Sequence, residues 1–82
     1  PGPGVPKEAG IMPSLVHAAA RSSRILGVCL GHQCIGEEFG GRLRNLSAPV
    51  HGKATACAVT DAEDPLFRGL PERFDIGRYH SW

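Results

Sequence analysis

The sequence predicts an α/β fold, and three observations carry that prediction. Helical and short apolar patterns alternate in the first half of the chain, and strand patterns dominate the second. Glycine and proline, 11 and 7 of the 82 residues, punctuate the segments between them. A chain of this length holds one domain, and burying about 60% of its unfolded surface leaves a thin margin of stability.

The elements follow in order. Pro1-Gly2-Pro3-Gly4-Val5-Pro6 is a stiff loop, because its prolines remove donors and its glycines expose backbone. Residues 13–22 predict a helix, with Pro13 in the first turn, an alanine run, and Leu15, Ala18 and Ala19 on one face. Arg24-Ile25-Leu26-Gly27-Val28-Cys29 is a continuous apolar run too short for a helix, which predicts a central parallel strand buried on both faces. Leu30-Gly31 turns the chain into a second helix, His32 to Phe39, stopped by Gly40-Gly41. Residues 42–46 and 54–60 read as strands, with a turn through Pro49 and His51-Gly52. Asp64 to Phe67 reads as one helical turn and Phe74 to His80 as a last strand. The sum is an α/β layer with a β-rich excursion.

Composition excludes several classes of function. A net charge of +1 without long runs of one sign gives no electrostatic footprint for nucleic acid or a membrane surface. No apolar stretch is long enough to span a bilayer, and the N-terminal residues lack the pattern of a signal peptide. Three cysteines, Cys29, Cys34 and Cys57, are an odd number without C-x-x-C spacing, which predicts a reduced, cytoplasmic chain and no metal site. The absence of an initiator Met and the abrupt stop at Trp82 predict a central fragment of a larger domain.

Chemistry concentrates at Gly27-Val28-Cys29-Leu30-Gly31-His32-Gln33. A thiol at the end of a buried strand, with glycine two residues to either side and a helix directly after it, has the layout of a nucleophile elbow. Crowding by neighbouring strands is the reason for small residues at Gly27 and Gly31. The helix start aims unsatisfied amides and a positive dipole end at the sulfur, with Leu30 N–H as the oxyanion donor. Cys34, inside the helix, and Cys57, in a strand of small residues, read as structural. Of four histidines, His17 reads as a surface residue and His32 as a packing or hydrogen-bonding one. Elimination points to His80 as a base without any spacing that requires it, so the base stays unassigned.

Taken together, Pro-Gly-Pro-Gly-Val-Pro, Gly-Val-Cys-Leu-Gly-His-Gln, His51-Gly52-Lys53, residues 65–70 and Gly77-Arg78-Tyr79-His80-Ser81 resemble, in order and over the whole chain, class I glutamine amidotransferases. Within that family the chain is similar to the glutaminase subunits serving anthranilate synthase and aminodeoxychorismate synthase. The resemblance implies a flavodoxin-like α/β domain with a mostly parallel sheet. It implies that Cys29 attacks the glutamine side-chain amide and that Leu30 and Gly4 form the oxyanion hole. Gly2, Pro3, Gly4, Gln33, Ser81 and Trp82 would bind glutamine, with Trp82 standing where leucine is frequent. His51, Gly52 and Lys53 would face a chorismate-binding synthase subunit.

The same resemblance implies no cofactor in this subunit, with Mg expected only in the synthase partner. The family's first strands and its His-Pro-Glu motif are not in these residues, so the catalytic triad is incomplete and the isolated segment is expected to be inactive. The activity implied is release of ammonia from glutamine for tryptophan biosynthesis, or the same step in folate biosynthesis. Two rivals stay open: a stand-alone hydrolase using His80, and a non-catalytic piece that docks a synthase through His51-Gly52-Lys53.

Overall fold

A computed structural model describes residues 1–82. The fold separates into two compact units: residues 1–47 with Ser81 and Trp82, and residues 48–80.

The first unit is built on two helices and a turn. A 3₁₀ turn, Pro6–Glu8, precedes helix α1, Met12–Ala19, and helix α2, Leu30–Glu38. Pro13 sits in the first turn of α1, where its missing N–H costs nothing. Helix α2 ends as expected. Gly40 adopts φ 90°, its N–H donates to Glu37 O at 3.0 Å, and Gly41 N–H reaches back to Gly36 O at 2.7 Å. That pair of bonds is a Schellman closure, and it needs a residue that tolerates left-handed backbone at position 40.

The core of this unit is small: Pro6, Val16, Leu30 and Cys34. The 3₁₀ turn packs on both helices and α1 packs on α2. The buried face of α1 is therefore the Val16 side, whereas Leu15 and Ala18, expected to face inward, are exposed. Across the helix pair, His17 Nδ1 lies 3.5 Å from Glu38 Oε2. With His17 84% exposed, this surface pair contributes little to stability.

Residues 24–29, expected as a central strand, form no strand, and Leu26 and Val28 are 74% and 60% exposed. The reason is the absence of ladder partners: a parallel strand exists only when paired with another, and the one sheet formed by residues 1–82 is the β1-β2 pair. Residues 42–46 likewise make no ladder, apart from one bond, Leu46 N–H to Ser81 O at 2.7 Å. The mostly parallel sheet and the strand limb of the elbow are thus not formed here.

The second unit is an antiparallel ribbon of β1, Val50–Ala58, and β2, Arg73–His80. Its register runs from Val50 opposite His80 to Ala58 opposite Arg73. His51-Gly52, expected as a turn before the strand, lies within β1 as a bulge. Gly52 has φ 69°, and pairing shifts between His51 opposite Tyr79 and Lys53 opposite Arg78. A left-handed glycine suits a turn or a bulge, and pairing with β2 on both sides makes it a bulge. In the connection, Asp64 Oδ1 accepts Leu66 N–H at 2.9 Å and caps the 3₁₀ turn Pro65–Phe67. No residue of this unit is buried, though Thr55, Cys57 and Phe74 share a half-buried face.

Candidate active site

Cys29 is the one residue other than glycine with positive φ, at φ 54° and ψ −109°. This lies outside even the small left-handed region open to L-residues, and holding a side chain there costs on the order of 1–3 kcal/mol. The surroundings hold it in place. Gly31 N–H donates to Val28 O and Gln33 N–H to Cys29 O, both at 3.0 Å, so the bend is tied on each side. Cys29 is the N-cap of α2 but makes no side-chain capping bond, and it is exposed. As the first residue of α2, Leu30 has an N–H that the helix itself does not use.

The two glycines flanking Cys29 turn out to be unequal. A Cβ on Gly27 would lie 2.6 Å from His32 N and 2.7 Å from Gly31 O, backbone atoms that cannot swing aside. A Cβ on Gly31 would meet nothing within 4 Å. Crowding therefore explains Gly27 and not Gly31, because in this fold the first turn of α2, rather than a neighbouring strand, crowds the bend.

The proline-stiffened loop lies against the start of α2. The α-carbon of Gly2 approaches Leu30 so closely that a Cβ would sit 3.0 Å from Leu30 Cδ2. Gly4 takes φ 76°, and a side chain there would overlap the Glu8 carboxylate. Gln33 Nε2 donates to Trp82 O at 3.1 Å, joining two expected substrate-binding positions 49 residues apart. Ser81 lies beside Trp82 and anchors Leu46. Gly2, Leu30, Gln33, Ser81 and Trp82 thus belong to the same unit as Cys29, while His51, Gly52 and Lys53 belong to the ribbon.

The other candidates separate by environment. Cys34 is buried in α2, and burial first, then Glu38 and Glu37, push its thiol pKa up, so it stays protonated and inert. His32 is exposed rather than packed. His80 sits 3.0 Å from Arg78 Nη2. A guanidinium only donates, so His80 Nε2 is the acceptor and that nitrogen is occupied. No three His, Cys, Asp or Glu side chains converge as a metal site, no disulfide joins the cysteines, and no helix is long and apolar enough to cross a membrane. Sequence reasoning missed Glu8, which folds back onto the Gly4-Val5 backbone. Its only signal was an acidic residue three positions after the start of a turn, where Val5 replaces the usual Ser or Thr.

The profile of the family described as glutamine amidotransferase class-I matches residues 1–82. The chain is 46% identical to the anthranilate synthase beta subunit 2, chloroplastic, of Oryza sativa subsp. japonica, over 99% of its own length and 30% of the relative's. It is 44% identical to a putative anthranilate synthase component II of Haemophilus influenzae, over 100% of its own length and 42% of the relative's. It is 48% identical to an anthranilate synthase of Azospirillum brasilense, of which it covers 11%. The chain therefore spans less than half the length of each of these relatives.

Proposed function

The chain belongs to the class I glutamine amidotransferase family, and from that premise we propose that it carries the nucleophile and part of the glutamine site of an anthranilate synthase glutaminase. The observation that carries this reading is the backbone of Cys29, strained at φ 54° directly before α2. Such strain persists where the surroundings impose it, and it supports the elbow geometry in which a thiol is presented at a helix N-terminus. The names of the relatives support anthranilate synthesis over the aminodeoxychorismate alternative.

In this reading Cys29 Sγ attacks the side-chain carbonyl carbon of glutamine, forming a C–S bond while the carbonyl electron pair moves onto oxygen. Leu30 N–H and an amide of the Gly2–Gly4 loop hold that oxyanion. Collapse breaks the C–N bond, and the nitrogen leaves as ammonia with the proton given up by the thiol. Water then adds to the thioester, releasing glutamate and restoring the thiol. Gln33 and the backbone of Ser81 and Trp82 orient the substrate. We assign the histidine that carries the proton to the part of the relatives' length that this chain does not span, since residues 1–82 contain no His-Pro-Glu. Ammonia passes to a chorismate-binding synthase subunit, docked at His51-Gly52-Lys53. No cofactor enters the glutaminase step, and Mg is reserved for that partner.

The test is Cys29→Ser in the intact protein with its synthase partner. Glutamine-dependent synthesis should fall at least about a thousandfold, while synthesis from ammonium salts stays at the wild-type rate. Glutamine turnover by the variant would remove Cys29 from this role.

A further inference from the structure

The Gly2–Val5 loop is held by a residue outside it. Glu8 Oε2 accepts Val5 N–H at 3.2 Å, and Glu8 N–H donates to Val5 O at 2.9 Å, so both backbone groups of Val5 are bonded to residue 8. Between them Pro6 is fully buried and fixes the turn. The folded-back carboxylate occupies the space where a Gly4 side chain would stand, and at the far end of the loop Gly2 rests on the Leu30 side chain. A continuous set of contacts therefore runs from Glu8 through Val5, Gly4 and Gly2 to the first residue of α2.

A donor count gives this clamp a consequence. Pro3 and Pro6 have no N–H. Val5 N–H is taken by Glu8, and neither Gly2 N–H nor Gly4 N–H donates within the chain.

We propose that Glu8 is a positioning residue for the oxyanion hole: by engaging Val5 N–H it fixes the loop so that the Gly2 and Gly4 amides are its donors to substrate. This rests on the glutaminase reading above. It deepens that reading by naming what orients the loop and by excluding Val5 N–H as a donor. The role depends on an acceptor oxygen at a given reach, not on negative charge.

The experiment compares Glu8→Ala, Glu8→Asp and Glu8→Gln in the intact protein with its synthase partner. Glu8→Ala loses the acceptor, and Glu8→Asp is one methylene too short to reach Val5. For both, kcat with glutamine should fall about five- to twentyfold, with KM for glutamine changing less, because misplaced oxyanion donors are felt most in the transition state. Glu8→Gln keeps a carbonyl oxygen that accepts, and its kcat should stay within about twofold of wild type. Synthesis from ammonium salts should be unchanged in all three, which separates loop positioning from loss of fold. Wild-type kcat in Glu8→Ala, or a Glu8→Gln variant as slow as Glu8→Ala, would overturn the proposal. Should Cys29→Ser keep its glutamine activity in the same assay, the glutaminase reading itself fails instead.

Discussion

The inequality of Gly27 and Gly31 gives a prediction in which one substitution opposes its twin. Gly27 is not at positive φ, so an added methyl is opposed only by contact, 2.6 Å to His32 N and 2.7 Å to Gly31 O. Overpacking of this kind costs about 1–3 kcal/mol. Stiffening of the unfolded chain by alanine returns about 0.4–1 kcal/mol. Gly27→Ala should therefore destabilise the intact protein, by up to about 2.5 kcal/mol, and because the clash lies against the first turn of α2 it should displace Cys29 and Leu30 as well. Gly31 lies within α2 with open space around it, so Gly31→Ala should gain about 0.5–1 kcal/mol from helix propensity alone. Urea unfolding of the two variants, read at the midpoint with the slope checked for constancy, measures both signs. Glutamine turnover read alongside should fall for Gly27→Ala. A Gly27→Ala protein as stable and active as wild type, or a Gly31→Ala protein that loses stability, would refute the argument that the helix start is what crowds the bend.

Two further outcomes follow from the ribbon and from the core. Gly52→Ala should cost about 1–2 kcal/mol, since the nearest atom, Tyr79 Cε1, is at an ordinary 3.8 Å and the cost is that of a side chain at φ 69°; an unchanged unfolding midpoint would show that the bulge relaxes. The raised pKa of Cys34 has a pH signature. Between the ordinary thiol value of 9.0 and the higher folded value, the unfolded chain loses a proton that the folded chain keeps, so stability due to this group is full below 9.0 and declines above it. Cys34→Ala should flatten that alkaline decline, and an unaltered slope above pH 9.0 would contradict it.

Local signals were legible wherever a single segment contains its own determinants. Pro13 placed the start of α1, although the helix ends at Ala19 and not at Ser22, and Gly40-Gly41 placed the end of α2, because caps and breakers act over one or two turns. Residues 24–29 failed for the opposite reason: strand formation depends on hydrogen-bond partners elsewhere, and an apolar run says only that it would suit burial. His51-Gly52 was ambiguous in the same way, since left-handed glycine is common to turns and bulges. At the site, Cys29, Leu30, Gln33 and the Gly2–Gly4 loop were legible as motifs. The bond from Gln33 to Trp82 spans 49 residues and has no local signature. Glu8 was hidden because the cap it completes lacks the hydroxyl residue that usually announces one.

The backbone at Cys29 has an evolutionary consequence. Glycine would occupy φ 54° with far less strain, so at this position the most comfortable residue is one that lacks the thiol. Any screen that rewards only expression or thermal endurance will push position 29 away from cysteine, and on the proposed glutaminase reading a gain in robustness there would come with loss of the nucleophile. If Cys29 is the nucleophile proposed above, cysteine persists at this bend under a pressure that reads catalytic output against the backbone's own preference.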